Sequence, residues 1–253
     1  MSAPAENFWA TLPLGREVKL IGHDANGLAA FTKPAGVLSH PNAPGDEPRA
    51  LLTAAYTIDG EFYEWTDAEG AKRRLWLLNR LDSATSGAIL AAADGELATA
   101  IRVQFKRKQV RKIYHALVFG APRQAMEIWR DLLAVEKRGG QIRTAASAGH
   151  VPAESRMSVV RAGRKEPRVT LVRLEPRTGR SHQLRVQSAK RHFPIVGDQT
   201  YGNFSANRAF AKIAGTKRLF LHSLETSFDY EWRGQTWKFA AKAPLPPEFE
   251  KFL

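Results

Sequence analysis

Asp82 is the side chain that the surrounding sequence best equips for covalent or acid–base chemistry. It stands in Arg80-Leu81-Asp82-Ser83-Ala84-Thr85-Ser86-Gly87, a polar turn between two apolar runs, Leu75–Leu78 and Ala88–Ala92. Both runs are short and bounded by turn residues, which suits buried strands better than helices. On that reading Asp82 closes the first strand, and the two-residue period puts Arg80 and Asp82 on one face. A carboxylate mounted on rigid strands beside a cation is a suitable nucleophile or base.

A second chemical cluster is Glu175–Arg191, EPRTGRSHQLRVQSAKR. Pro176 and Gly179 predict a turn, and Thr178 or Ser181 could cap the segment that follows. Arg177, Arg180, Lys190 and Arg191 suit an exposed basic face. Arg185 differs, because it lies between Leu184 and Val186. A guanidinium drawn inward needs a carboxylate partner, and Asp82 is the candidate. Tyr114 lies in Val110–Gly120, VRKIYHALVFG, which reads as a strand apolar on both faces and so central in a sheet. On its own terms Tyr114 reads as a core aromatic.

Other chemistries lack their residues. The seven histidines show no HExxH-like spacing, and there is no Walker loop, GxGxxG run or GxSxG elbow. With no cysteine, disulfides, Cys-ligated zinc and thiol catalysis are excluded. Lys and Arg total 38 against 25 Asp and Glu, a net charge of +13 that predicts a polyanionic partner. Nucleic acid is the first expectation and an anionic membrane surface the second. The start carries no signal-peptide pattern and no apolar run approaches the roughly 20 residues of a membrane span, so the default expectation is a soluble cytoplasmic protein.

These groups need elements to hold them. Residues 1–17 read as a loose leader, followed by strands at Val18–Ile21 and Leu28–Thr32. Lys33–Pro41 is forced into an extended, turning path by its prolines and glycine. Arg49–Tyr56 suits a short helix and Asp59–Arg74 a polar surface stretch. Asp94 caps a helix running to about Lys106, with Leu97, Ile101 and Phe105 on one face. Its end, Lys106-Arg107-Lys108, suits either a solvated helix terminus or an RNA contact. Further strands are expected at Met126–Val135, Ser155–Arg161, Arg168–Leu174, Arg218–Tyr230 and Trp237–Ala241. Residues 136–152 read as a hairpin tip or loop, Phe193–Gly202 as a structured loop, and Asn207–Ile213 and the C-terminus as short helices. The expected class is α+β, a mixed, largely antiparallel sheet flanked by helices and loops. With no Pro/Gly/Ser-rich linker, residues 18–253 are expected to form a single catalytic domain.

The chain resembles the RluA-type pseudouridine synthases. Lys33–Pro41 (KPAGVLSHP) is like the family's first motif, Arg80–Gly87 (RLDSATSG) like its nucleophile motif, and Lys112–Gly120 (KIYHALVFG) like its tyrosine strand. Thr178–Val186 (TGRSHQLRV) with Pro194–Gly202 (PIVGDQTYG) is similar to its third motif. The resemblance implies isomerisation of uridine to pseudouridine in structured RNA, ribosomal or transfer, with no cofactor and no metal. It implies Asp82 as the catalytic aspartate, Tyr114 as the tyrosine lying on the target base, and Arg185 as the basic partner of the aspartate. It implies Arg80 as an RNA contact where the base is extruded, with Thr85, Lys112, Arg180 and His182 as further RNA-binding residues. Three roles remain open for Asp82: attack at C1′, attack at C6, or removal of the 2′ proton. Asn79 and Gln187 depart from the family pattern, each standing where a histidine is common. The family's frequent N-terminal S4-type domain is not expected, and a monomer is. The alternative reading is a catalytically silent RNA-binding protein or RNA chaperone on the same scaffold. A nuclease or glycosidase is weaker, because the central motif supplies one carboxylate rather than a flanking pair.

Overall fold

The computed structural model describes residues 6–138, 141–145, 150–163 and 166–253. They group into two compact units. The first comprises the chain up to Val110 with Glu225–Ala243, and the second Arg111–Leu224 with Pro244–Leu253.

In the first unit, α1 (Glu6–Ala10) precedes β1 (Lys19–His23) and β2 (Leu28–Lys33). There follow β3 (Ala55–Thr57), β4 (Phe62–Thr66), β5 (Lys72–Leu77), β6 (Ser86–Ala92) and α2 (Gly95–Lys106). The strands pair antiparallel, β1 with β2, β2 with β6, β6 with β5, β5 with β4 and β4 with β3. β6 is buried at every residue, as its unbroken apolar run requires. α2 begins where Asp94 accepts a hydrogen bond from the Leu97 N–H at 2.9 Å. Its Leu97, Ala98 and Ile101 pack on Leu28, Leu90 and Ala92, together with Phe228, Tyr230 and Phe239 of β12 (Leu221–Trp232) and β13 (Gln235–Lys242).

Three local expectations are corrected here. Arg49–Tyr56 is not a helix. A 3-10 turn at Glu47–Arg49 gives way to extended chain, where Gly15 N–H donates to the Leu51 carbonyl and Thr53 N–H to that of Pro13. An apolar run this short has no period to separate helix from buried extended chain. The stretch 59–74 is not simply surface, since it supplies β4 and part of β5 and buries Tyr63 completely. The leader is not loose over its described part, where Phe8, Trp9 and Leu12 are buried.

In the second unit, β7 (Arg111–Phe119), β8 (Met126–Arg138), β9 (Gln141–Ala145), β10 (Val151–Ala162) and β11 (Val169–Pro176) pair antiparallel in the order β7-β11-β10-β8-β9. Of the two readings of 136–152, hairpin tip or loop, the antiparallel pairing of β8 with β9 bears out the hairpin, although 139–140 and 146–149 lie outside the described residues. α3 (Gln183–Lys190) sets Val186 against Leu133 and Ala153. α4 (Phe204–Ala214) inserts Phe210 among Leu117, Val196, Phe220 and Phe249. Asp94→Ala, which removes the side-chain cap of α2, is expected to cost about 1 kcal/mol in urea-unfolding measurements.

Candidate active-site loops

The first-unit site is a loop rather than the end of a strand. β5 stops at Leu77, and the alternation expected to align Arg80 with Asp82 stops with it. Leu78 N–H still bonds the Leu90 carbonyl at 3.0 Å, but the next link is made by a side chain. Asn79 Oδ1 accepts the Leu90 N–H at 2.8 Å. The unusual Asn79 therefore ends the ladder and releases the chain into 80–85.

That loop is held from below by the other matched motif. Lys33, 1% exposed, donates from Nζ to the carbonyls of Pro34 (3.0 Å), Val37 (2.7 Å) and Ser83 (3.0 Å). Gly36 N–H also donates to the Ser83 carbonyl at 2.7 Å. Ser39 Oγ donates to the Leu81 carbonyl at 2.7 Å and accepts the Leu81 N–H at 3.0 Å. Asp82 is thus flanked on both sides by residues whose backbone is tied to 33–39. Its own carbonyl accepts the Thr85 N–H at 2.9 Å, closing a turn. Asp82 is partly exposed and Arg80 exposed, whereas Thr85 is only 3% exposed and serves the turn.

In the second unit, Arg185 is buried on α3 and grips Asp198. Nε donates to Oδ2 and Nη2 to Oδ1, both at 2.8 Å. Nη2 also reaches Thr200 Oγ1 at 3.2 Å, and the guanidinium lies 5.2 Å from the Tyr201 ring centroid. Asp198 Oδ1 further accepts the N–H groups of Thr200 and Tyr201. Burial acts to raise the Asp198 carboxyl, but Arg185 and the two N–H donors outweigh it and hold it below the usual carboxylate range. Sequence reasoning missed Asp198, although its signal was present: one charged residue in the glycine-bearing run Pro194–Gly202. The preceding Gly197 has φ +79°, and a Cβ there would lie 1.8 Å from the Arg218 carbonyl oxygen.

The N-terminus of α3 is not capped by Thr178 or Ser181. His182 is the N-cap residue, in the left-handed region, and its Nδ1 lies 2.8 Å from the Tyr201 hydroxyl. Thr178 instead donates to Gln183 Oε1 at 2.7 Å. Gln187, fully buried, accepts from Ser155 Oγ and donates to Asp131 Oδ2, each at 2.8 Å. Asp131 also binds Lys190 and Arg191 at 2.8 Å, so these two cations are not the free basic face expected. Tyr114 lies in β7, partly exposed and opposite Leu174 of β11. Lys112, two residues earlier on the same strand face, places Nζ 3.7 Å from the Cβ position of Gly179, next to the exposed Arg180. Burial pushes the Lys112 ammonium down to about 8.

Among the described residues no group of three or more acidic or histidine side chains could hold a metal ion, and no helix is long and apolar enough to cross a membrane.

Asp198→Asn removes the carboxylate from a buried, doubly hydrogen-bonded ion pair, at an expected cost of about 3–5 kcal/mol at neutral pH. The carboxylate is held low in the folded state. Its contribution is therefore complete above the unfolded value of about 3.9 and fades as pH falls through the folded value. Urea unfolding at neutral pH and in acid checks both: the gap between the two proteins narrows in acid.

Residues 27–190 match the family model described as RNA pseudouridylate synthase. The chain is 32% identical over 231 residues to a tRNA pseudouridine synthase C from Yersinia pestis, an alignment covering 87% of this chain and 84% of that protein. It is 34% identical over 182 residues to a ribosomal large subunit pseudouridine synthase C from Pasteurella multocida, covering 72% of this chain but 54% of the relative. Its fold resembles that of human RNA Pseudouridylate Synthase Domain Containing 1, with a TM-score of 0.66 at 21% identity over 91% of this chain and 85% of the other. With these matches spanning the Lys33, Asp82, Tyr114 and Arg185 segments, the chain belongs to the RNA pseudouridylate synthase family, in its RluA-type branch.

Proposed function

We propose that this protein isomerises uridine to pseudouridine in transfer RNA, using Asp82 as its catalytic carboxylate and Tyr114 and Arg185 in the same reaction. The observation that carries the role of Asp82 is the bracing of residues 81 and 83 by Ser39 and Lys33, which fixes the backbone on either side while leaving the carboxylate partly exposed. A reactive group held by rigid supports loses little entropy on engaging its substrate. The preference for transfer RNA rests on extent: the chain spans 84% of the tRNA enzyme but 54% of the ribosomal one.

The reaction breaks the N1–C1′ bond, turns the uracil, joins C5 to C1′, and moves the C5 proton away while N1 gains one. A stacked base hides these atoms, so the nucleotide must be everted, at a cost of a few kcal/mol. Arg80, exposed beside the Asp82 turn, offers a planar cation for stacking and phosphate contact that offsets this cost. Asp82 provides the negative charge that attacks the ribose or base, or removes the 2′ proton. Tyr114 offers a flat face to the uracil and a hydroxyl for proton transfer. Arg185 carries cationic charge on an element already fixed through Asp198. Lys112, Arg180 and His182 supply contacts to the RNA, with the protein acting as a monomer.

The decisive experiment is tritium release from RNA labelled at C5 of uridine. Transfer RNA transcripts are expected to release tritium and ribosomal transcripts to release little. Asp82→Asn is expected to lower release at least about a hundredfold without lowering the melting temperature. Equal release from Asp82→Asn overturns the assignment, and strand cleavage or free uracil overturns the reaction class. Because the Lys112 ammonium loses its charge near pH 8, KM for RNA is expected to rise above that pH, and Lys112→Arg to remove the rise.

A further inference from the structure

The first-motif loop and β3 each contribute one ring to an aromatic pair that none of these roles uses. The His40 ring is stacked on Tyr56 with centroids 4.6 Å apart and planes 8° from parallel. Tyr56 in turn meets Tyr63 edge-on at 4.9 Å. Tyr63 is an ordinary core residue, fully buried, with its hydroxyl donating to the Ser39 carbonyl at 2.8 Å.

The two outer rings are different. The Tyr56 hydroxyl is buried, with no hydrogen-bond partner among the described residues. Burial pushes it up to about 12; the Glu61 charge adds to that, while Arg80 and Arg102 oppose it. A phenylalanine would pack as well without the penalty of an unmatched hydroxyl. His40 is partly exposed although one of its faces is taken by Tyr56. Its Nδ1 lies 2.8 Å from the Pro41 carbonyl, which can only accept, so Nδ1 carries the hydrogen. In the neutral ring that leaves Nε2 as an acceptor. A flat, anchored ring with an acceptor on its edge makes a platform for a nucleobase, which every base can use through its π-face.

We infer that the His40–Tyr56 stack is a nucleobase-binding subsite that takes an unpaired nucleotide of the substrate RNA other than the uridine being isomerised. The stack is tied to the Asp82 turn through Ser39, which bonds Leu81 with its hydroxyl and Tyr63 with its carbonyl. An everted uridine leaves neighbours unstacked, and this ring offers one of them a new partner. The inference rests on the RNA-modifying reading above.

The test uses transfer RNA transcripts labelled with tritium at C5 of uridine. His40→Ala is expected to raise KM about tenfold, the size of one lost base–aromatic stack, with a smaller change in kcat. His40→Phe keeps the flat face and is expected to stay within about threefold of the parent. The dependence of KM on salt is expected to be unchanged in His40→Ala, since no phosphate contact is lost. If His40→Ala melts early, His40→Leu replaces it, keeping apolar volume without a planar face. KM within twofold of the parent for the Ala or Leu variant overturns the inference, as does equal damage from Phe. Silence of the parent protein on every transcript instead defeats the activity reading. The same variants are then compared by filter binding to transfer RNA, where the tenfold loss is still required.

Discussion

A buried ammonium organises the first unit's chemistry. Lys33 is the last residue of β2, and at 1% exposure its charge is out of reach of bulk water. Three backbone carbonyls, two from its own loop and one from Ser83, take the place of that water. Such a charge tolerates little displacement, because losing one carbonyl leaves it poorly solvated. The loop carrying Asp82 therefore has its shape imposed from another motif, fifty residues away in sequence. Motif spacing alone does not convey this, because the contact is between a side chain and main-chain oxygens.

The second unit uses the opposite charge for the same purpose. The Asp198 carboxylate accepts four hydrogen bonds: two from Arg185 and two from backbone N–H groups. Asn207 of α4 extends the arrangement, donating to the Asp198 carbonyl and accepting the Gly197 N–H. The Arg185 guanidinium on α3 is thus joined to a loop and a second helix by bonds that define direction as well as distance. Asp131 does similar work at the far end of α3, with Lys190, Arg191 and Gln187 converging on it.

What could be read from the sequence follows from the range of each interaction. α2 was legible from its cap and apolar face, β6 from its unbroken apolar run, and β7 from the apolar residues on both its faces, because these signals are local. The turn at Asp82 was legible in the sequence, but not its geometry, since β5 ends on the side chain of Asn79 rather than at a turn residue. The extended chain after Arg49 looked helical because its partners, near Pro13 and Leu38, are remote in sequence. The division into two units left no compositional trace. The chain passes between them three times, after Val110, within β12 and after Ala243, none of them at a glycine- or serine-rich stretch. Arg185 was recognisable as an inward cation, but Asp198 was overlooked because a single acid in a loop has no period.

The glutamine at 187 has a consequence for how the protein meets changes in acidity. A histidine there would exchange its acceptor for a second donor on gaining a proton, and could no longer receive the hydroxyl of Ser155. An amide keeps the same two hydrogens and the same oxygen throughout the physiological range. The seam between α3 and strands β8 and β10 is thereby made indifferent to protonation at this point over the range in which a histidine would titrate, leaving its acid response to the carboxylates Asp131 and Asp198.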